Sequence, residues 1–158
     1  MGDRLAELLE RHGQPHAEVD YGASQGSSWR LQERIYLLHA QGHVTIEGAR
    51  WATERMSQIV ADEYGRRGRR IYIAWSFEGI LDYGTTVGLH FVDWFKTHRA
   101  AVNRFMMLTE NQILRMTART ASIAIPSSGL RFPSTAAEFD EELAVWIGRL
   151  QRRLAATA

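Results

Sequence analysis

The sequence predicts an α/β protein, with a mixed β-sheet covered by about four helices and an extra helix at the N-terminus. Two observations lead to this fold class. Short apolar runs rich in β-branched and aromatic residues are typical of buried strands. Between these runs lie amphipathic segments whose apolar residues recur every three or four positions, as they do in helices. Strands that alternate with helices in this way favour a mostly parallel or mixed sheet with helices packed on it.

The N-terminal part of the chain is predicted to be separate from the domain that follows. Residues 3–12 have the leucine spacing of a short helix, and the small residues of 22–28 are typical of a loop or linker. We therefore expect an N-terminal helix and linker over 1–27 and an α/β domain over 28–158. Because so short a helix does not persist alone, it should pack on the domain or mediate self-association into a homo-oligomer.

Strands and helices are expected to alternate through the domain. The helix at 85–98 is the clearest, because its apolar residues form a single stripe. Two later segments, Thr109–Gln112 and Thr135–Glu138, match capping boxes and so indicate where the last two helices begin. The predicted strands are 29–39, 71–75, 102–108 and 130–132, and the predicted helices are 48–65, 85–98, 109–122 and 135–154.

Composition excludes several classes of protein. The chain has 158 residues, of which 45% are hydrophobic and 23% charged, which suits one folded domain with a real core. A formal net charge of +1 provides no overall field to attract nucleic acid or an anionic membrane. The absence of cysteine excludes disulfides, thiolate metal sites and cysteine nucleophiles. No apolar run approaches the roughly 20 residues that span a bilayer, so we expect a cytoplasmic location.

The most informative segment is a strand, turn and helix around residue 84. Asp82, Tyr83, Gly84, Thr85 and Thr86 follow an apolar strand and open the helix at 85–98. Backbone N–H groups at a helix start are unpaired and hold anions or partner carboxylates. Three interpretations stay open: the acid and hydroxyls cap the helix, the threonines are candidate phosphorylation sites, or the turn binds a small ligand.

Several segments together resemble the STAS family, the regulatory domain of sulphate transporters and of bacterial anti-sigma-factor antagonists. A strand-turn-strand containing Gly42 leads into a helix, and the sequence Ile80-Leu81-Asp82 matches the apolar pair and aspartate of the family. The segment from Phe132 to Ala144 is similar to the way the family's last strand and helix begin. The resemblance covers about residues 30–150. It implies a STAS-like fold and a non-enzymatic regulator, controlled in antagonists by phosphorylation of a serine.

The phosphorylation turn of this chain departs from that of the family. Antagonists have the sequence Asp-Ser-Ser-Gly, whereas this chain has Asp82-Tyr83-Gly84-Thr85, so that glycine stands at the phosphoacceptor position. The neighbouring hydroxyls, Thr85 and Thr86, are the candidate phosphorylation sites. The resemblance implies a protein partner, such as a kinase or regulatory factor, at this turn. The predicted partner-binding residues are Asp82, Tyr83, Gly84, Thr85, Thr86 and His90.

Other chemistry is weakly indicated. His90 and Asp93 lie three residues apart on the helix at 85–98 and are the pair an enzyme could use, but the common catalytic motifs are absent. The histidines show no convergent spacing, so neither a metal nor a cofactor is expected. The basic run at 66–70 is interpreted as a solvated connection rather than a phosphate or nucleic-acid contact.

A carrier of small molecules or lipids is the main alternative function. Related STAS-like and CRAL-TRIO-like domains resemble one another in their order of strands and helices. In a carrier, Met106, Met107 and Met116 would line an apolar pocket together with nearby aromatic residues. Methionines at such positions are more often core residues that fill irregular gaps.

Overall fold

The computed structural model describes residues 3–13, 15–22, 24–122 and 129–157. Six strands and five α-helices follow one another, and the second helix continues directly into a π-helical segment, Ala61–Arg66. The strands are β1 (Ala17–Asp20), β2 (Ser24–Gln32), β3 (Ile35–Val44), β4 (Ile71–Tyr83), β5 (Val102–Leu108) and β6 (Leu130–Arg131). The helices are α1 (Asp3–His12), α2 (Ile46–Val60), α3 (Thr85–His98), α4 (Gln112–Ser122) and α5 (Ala136–Thr157).

All six strands form one mixed sheet in the order β1-β2-β3-β4-β5-β6. The first three strands are antiparallel, and β3 to β6 are parallel. Parallel neighbours require crossovers, and α2, α3 and α4 supply them. The α/β fold with a mixed sheet, predicted from the alternation of apolar runs and amphipathic segments, is confirmed.

One face of the sheet packs on the three crossover helices through a cluster of aromatic rings. Trp75 lies at the centre, with ring centroids 4.9–5.2 Å from those of Phe77, Phe91, Phe95 and Phe105. These rings are buried, and edge-on or stacked contacts of this kind add about 1 kcal/mol per pair beyond the burial of their area. The apolar stripe predicted for 85–98 therefore packs on the sheet, as expected.

The other face of the sheet packs on α5 and α1. Phe139, Leu143, Trp146 and Leu150 lie on one side of α5 and are buried against it, and the ring of Trp146 meets that of Tyr72 edge-on at 5.6 Å. Leu9 of α1 belongs to the same cluster. The N-terminal helix is thus packed on the body of the protein, which is one of its two predicted roles.

The region before residue 40 differs most from expectation. The strand predicted over 29–39 is wrong, because a turn at Glu33 and Arg34 divides it into β2 and β3. Arg34 adopts a left-handed backbone conformation with φ of 66°, which neither glycine nor proline signals in the sequence. The loop predicted over 22–28 is also wrong for Ser24 to Ser28, which pair with β3. As a result β2 runs across the expected boundary between residues 27 and 28.

Helix starts are close to their predicted positions. The predicted cap at Thr135 is present, since its hydroxyl accepts from the Glu138 N–H at 3.2 Å; the Glu138 carboxylate accepts from the Ser134 N–H at 2.7 Å, one residue before the position that a capping box uses. The start of α4 is capped instead by Asn111, whose Oδ1 accepts from the Leu114 N–H at 3.0 Å. The apolar run at 71–75 is the first part of β4, which continues through Ile80 and Leu81 to Tyr83, so that Asp82 and Tyr83 belong to the strand rather than to the turn. In the part of the chain described, no helix has the length and apolarity to cross a membrane.

Candidate functional site

The end of β4 extends beyond the neighbouring strand β5. The last pair between these strands is Ser76 with Leu108, whereas β4 continues to pair with β3 as far as Tyr83. Among the described residues, the segment 77–83 therefore has a strand partner on one side only. A strand edge without a neighbour presents backbone N–H and C=O groups to which an extended segment can pair.

Register shifts in β4 decide which of its side chains reach solvent. Leu81 lies at the shift between the pairs Gly42–Ile80 and His43–Asp82, so it is the extra residue of a β-bulge. Ile80 is buried in the core, while Leu81 is 70% exposed. Bulges commonly redirect a side chain next to a functional site. Here the bulge directs a large apolar side chain outward.

Helix α3 starts immediately after this strand, at Thr85. Gly84 occupies the capping position with φ of −81° and ψ of 157°, and its carbonyl accepts from the N–H groups of Val87 and Gly88 at 3.0 and 3.2 Å. Thr85 and Thr86 are thus the first two helical residues, and neither occupies the capping position. Both are exposed, as Gly84 is. The backbones of Asp82 and Tyr83 end β4, and their side chains lie outside the described part of the protein.

A second exposed leucine lies on the first turns of α3. Leu89 is 59% exposed, on the side of the helix away from the buried residues Val87 and Phe91. Leu81 and Leu89 thus bracket the exposed threonines in the chain, and we call residues 81–89 the β4–α3 corner. For Leu89 the sequence signal was present, because this residue falls outside the apolar stripe of α3. Leu81 directly follows apolar Ile80, and only the strand pairing reveals its exposure.

His90 does not share the exposure of the corner. It is half-buried, and its Nε2 lies 2.8 Å from the Oγ1 of Thr53 on α2. The Thr53 hydroxyl donates to the carbonyls of Ala49 and Arg50 at 3.0 and 3.1 Å, so its oxygen is the acceptor in the bond with His90, and the His90 Nε2–H donates. His90 therefore holds α3 to α2, and less of it is available to a partner than the sequence suggested.

The described structure does not bring His90 and Asp93 together as a base–acid pair. Asp93 is exposed, and no hydrogen bond or ion pair joins it to His90 in the described region. Nor do the described residues contain a group of three or more His, Asp or Glu side chains that could hold a metal ion. What the arrangement at the corner can do is contact another molecule through leucines, hydroxyls and a strand edge.

The methionines considered for a carrier do not line one pocket. Met106 is buried against α5, Met107 is buried against the crossover helices on the opposite face, and Met116 is 68% exposed. An apolar cavity lined in part by Trp51 and Phe77 has a volume of about 20 Å³. Such a volume holds about one water molecule, far less than a lipid requires.

No protein-family model and no curated protein matches the sequence. Among solved structures, the chain is similar to an uncharacterized protein of the DUF3478 family from Shewanella loihica, described as having a SpoIIAA-like fold. The TM-score is 0.52 at 13% identity, over 80% of this chain and 98% of that one. The fold is SpoIIAA-like. The resemblance to STAS domains is thereby confirmed as a likeness of fold.

Proposed function

We propose that this protein is a non-enzymatic regulator in the cytoplasm that binds a partner protein through the β4–α3 corner. The observation that carries the proposal is the exposure of Leu81 and Leu89 on either side of Thr85 and Thr86. Large apolar side chains that avoid the core while flanking exposed hydroxyls are typical of a contact surface. The core does not need them, because Ile80, Val87 and Phe91 already fill the space beneath.

The partner gains two kinds of contact at the corner. Burial of a leucine contributes about 1.5–3 kcal/mol, so each of the two leucines could strengthen binding tenfold or more. The edge of β4 over 77–83, which lacks a second strand neighbour in the described structure, supplies backbone groups for an extended segment of the partner. Asp82, Tyr83 and Gly84 belong to the proposed surface by position, and His90 borders it.

Phosphorylation of Thr85 or Thr86 is the proposed control. Both hydroxyls are exposed to a kinase, and both stand in the first turn of α3, where the helix dipole favours negative charge. The added charge of about −2 would therefore leave the fold intact while repelling or recruiting a partner. Gly84 stands where STAS antagonists carry their phosphoserine, so the modification would be displaced by one or two residues along the helix.

The proposal is tested by cross-linking in the native host. A photoreactive amino acid is placed at Leu89, with a second version at Leu154, which is 44% exposed near the end of α5, as the control surface. We expect a discrete cross-linked partner from position 89 only, and at least a tenfold lower yield when Leu81→Ser is added. Equal yields from both positions, or a yield that Leu81→Ser leaves unchanged, would contradict binding at the corner.

The phosphorylation step has its own readout. Mass spectrometry of protein purified from the native host should find phosphate on Thr85 or Thr86. In the cross-linking assay, Thr85→Glu and Thr86→Glu should change the yield from position 89, whereas Thr85→Val and Thr86→Val should not respond to the kinase. If both threonines are unmodified under all growth conditions, control by phosphorylation is contradicted. The cross-linking experiment then tests partner binding independently.

A further inference from the structure

A cleft of about 430 Å³ lies at the opposite end of the sheet from the β4–α3 corner. Its walls come from the end of β2, the start of β3, the second half of α2 and the π-helical segment. Four arginines line it, with Asp62 and Glu63 as the carboxylates. The arginines are Arg30, Arg55, Arg66 and Arg67.

Glu63 organises the floor of the cleft. Its side chain is only 2% exposed, and it accepts hydrogen bonds from the Tyr36 hydroxyl at 2.9 Å and from Nη2 and Nε of Arg69 at 2.6 and 2.9 Å. Burial, together with the adjacent Glu63 carboxylate, raises the pKa of Tyr36, so its hydroxyl stays protonated and remains a donor. One guanidinium and one hydroxyl therefore satisfy this carboxylate.

The remaining arginines place positive charge in the cleft beyond what Glu63 balances. Arg67 and Arg30 approach the same Oε1 only at 3.5 and 3.8 Å, which is longer than a good hydrogen bond. Arg55 donates to the neutral Gln58 at 2.8 Å, and its buried Nε has no hydrogen-bond partner in the described structure. Arg66, in contrast, has its own carboxylate in Asp62 at 3.3 Å.

The helix C-terminus does not account for this set of arginines. Cations near the last turn of a helix are favoured by its dipole, which explains Arg66 at the end of the π-helical segment and Arg67 directly after it. Arg30 comes from β2 and Arg55 from the middle of α2, so the dipole requires neither in this place. Arg30, Arg55 and Arg67 thus line one cleft, and the described residues do not supply a separate carboxylate for each of them.

We propose that the cleft binds a small molecule carrying a phosphate group, with Arg30, Arg55 and Arg67 as its donors. Guanidinium groups match phosphate oxygens in geometry and charge, and three of them suit a doubly charged phosphate ester. The volume of about 430 Å³ lies in the range of small-ligand sites. Because the net charge is only +1, the rest of the surface has no excess of positive charge with which to hold a nucleic-acid chain. This inference is independent of the proposed function at the corner.

Calorimetric titration of the whole protein with inorganic pyrophosphate and with AMP, at constant ionic strength, tests the cleft. We expect saturable binding of at least one, weakened tenfold or more by Arg55→Gln. This variant leaves every contact of Glu63 in place, so it should keep its fold, which circular dichroism verifies. The double variant Arg30→Gln, Arg67→Gln should also lose binding. Arg153→Gln, on the exposed end of α5, is the matched control and should bind as the unmodified protein does.

Each outcome decides for or against the cleft. Tighter binding of AMP than of pyrophosphate supports the proposal with a nucleotide-like ligand, and the reverse order supports it with a polyphosphate. No saturable binding of either at millimolar concentration overturns it. Equal weakening by Arg55→Gln and Arg153→Gln also overturns it, because it shows diffuse charge attraction only. A single-stranded oligonucleotide is titrated in the same way, and saturable binding of the oligonucleotide alone would overturn the small-molecule proposal.

Discussion

The two ends of the sheet differ in how much their side chains contribute to the stability of the fold. At the β4–α3 corner the two leucines and two threonines are neutral and exposed, and their side chains lie outside the buried core. At the arginine cleft the side chains are charged, and they depend on one another through the buried carboxylate of Glu63. Substitutions at the corner can therefore report on binding alone, whereas most substitutions in the cleft change stability as well. Variants at the two ends need to be interpreted differently.

The largest expected effect is at Glu63. Glu63→Gln removes the charge of a buried carboxylate that accepts hydrogen bonds from Tyr36 and Arg69, and we expect a loss of about 3 kcal/mol in the free energy of unfolding. Urea denaturation followed by circular dichroism measures it. Asp62→Asn on the same turn is the control, because its ion pair with Arg66 is exposed and should contribute at most about 0.5 kcal/mol. Equal effects of both changes would contradict the distinction between buried and exposed carboxylates.

Alkaline pH should lower the free energy of unfolding through Tyr36, at the cleft end of the sheet. Burial raises the pKa of Tyr36 in the folded protein above that of the unfolded chain, so the unfolded chain loses this proton first. The contribution of Tyr36 to the free energy of unfolding should therefore be complete below about pH 10. Above that pH the free energy of unfolding should fall by about 1 kcal/mol per pH unit. Tyr36→Phe should flatten this part of the profile. An unchanged slope in that variant would assign the alkaline loss to other tyrosines.

The hydrogen bonds between α2 and α3 lie between the two ends and should be intermediate in effect. Thr53→Val leaves the His90 Nε2–H without its acceptor, and we expect a loss of about 1 kcal/mol. Ser57→Ala, which removes the acceptor of the Trp94 indole N–H at 2.8 Å, is a matched change one turn further along. If the ends are independent, neither change should alter cross-linking from position 89. A lost cross-link with an intact fold would show that the helix pair couples them.

The exposed leucines should contribute little to folding. Leu81→Ser and Leu89→Ser should each change the free energy of unfolding by less than about 0.5 kcal/mol, because neither side chain fills core space. Thermal denaturation measures this directly. A loss above about 2 kcal/mol would mean that the leucines are structural, and the contrast between the two ends would fail.

The smallest expected effect is a gain at the helix start. Gly84→Ser should stabilise α3 by a few tenths of a kcal/mol, roughly 0.3, because serine at a capping position accepts a backbone N–H that glycine cannot. A Cβ at Gly84 meets no other atom within 4 Å, and φ of −81° suits any residue. A lower melting temperature would contradict the capping geometry.

Local periodicity predicted much of the fold. The apolar stripe of α3 and the cap at Thr135 were sufficient to locate helices α3 and α5, because both signals depend on residues a few positions apart. The β2–β3 turn could not be predicted in this way, since Arg34 adopts a positive φ that its residue type rarely takes. The small residues of β2 also favour a loop locally, and pairing with β3 makes them a strand.

The two candidate sites differ in how far the sequence reveals them. The threonines and Gly84 could be located from a short motif, but the exposure of Leu81 depends on a bulge that is set by pairing with β3. The cleft was visible only as a basic run at 66–70. Its key contacts join residues distant in the sequence, such as Tyr36 with Glu63, and only the folded arrangement brings them together.

The strand order has a consequence for how the chain is made. Every strand pairs with the one synthesised just before it, so the sheet can grow in step with translation as the ribosome releases each segment. The crossover helices cover one face during this growth. The other face, with Leu37, Tyr72 and Met106, stays largely uncovered until α5, which follows all six strands in the sequence, is made. Until then the nascent chain exposes this apolar face of the sheet, and transiently exposed apolar surface favours aggregation during folding.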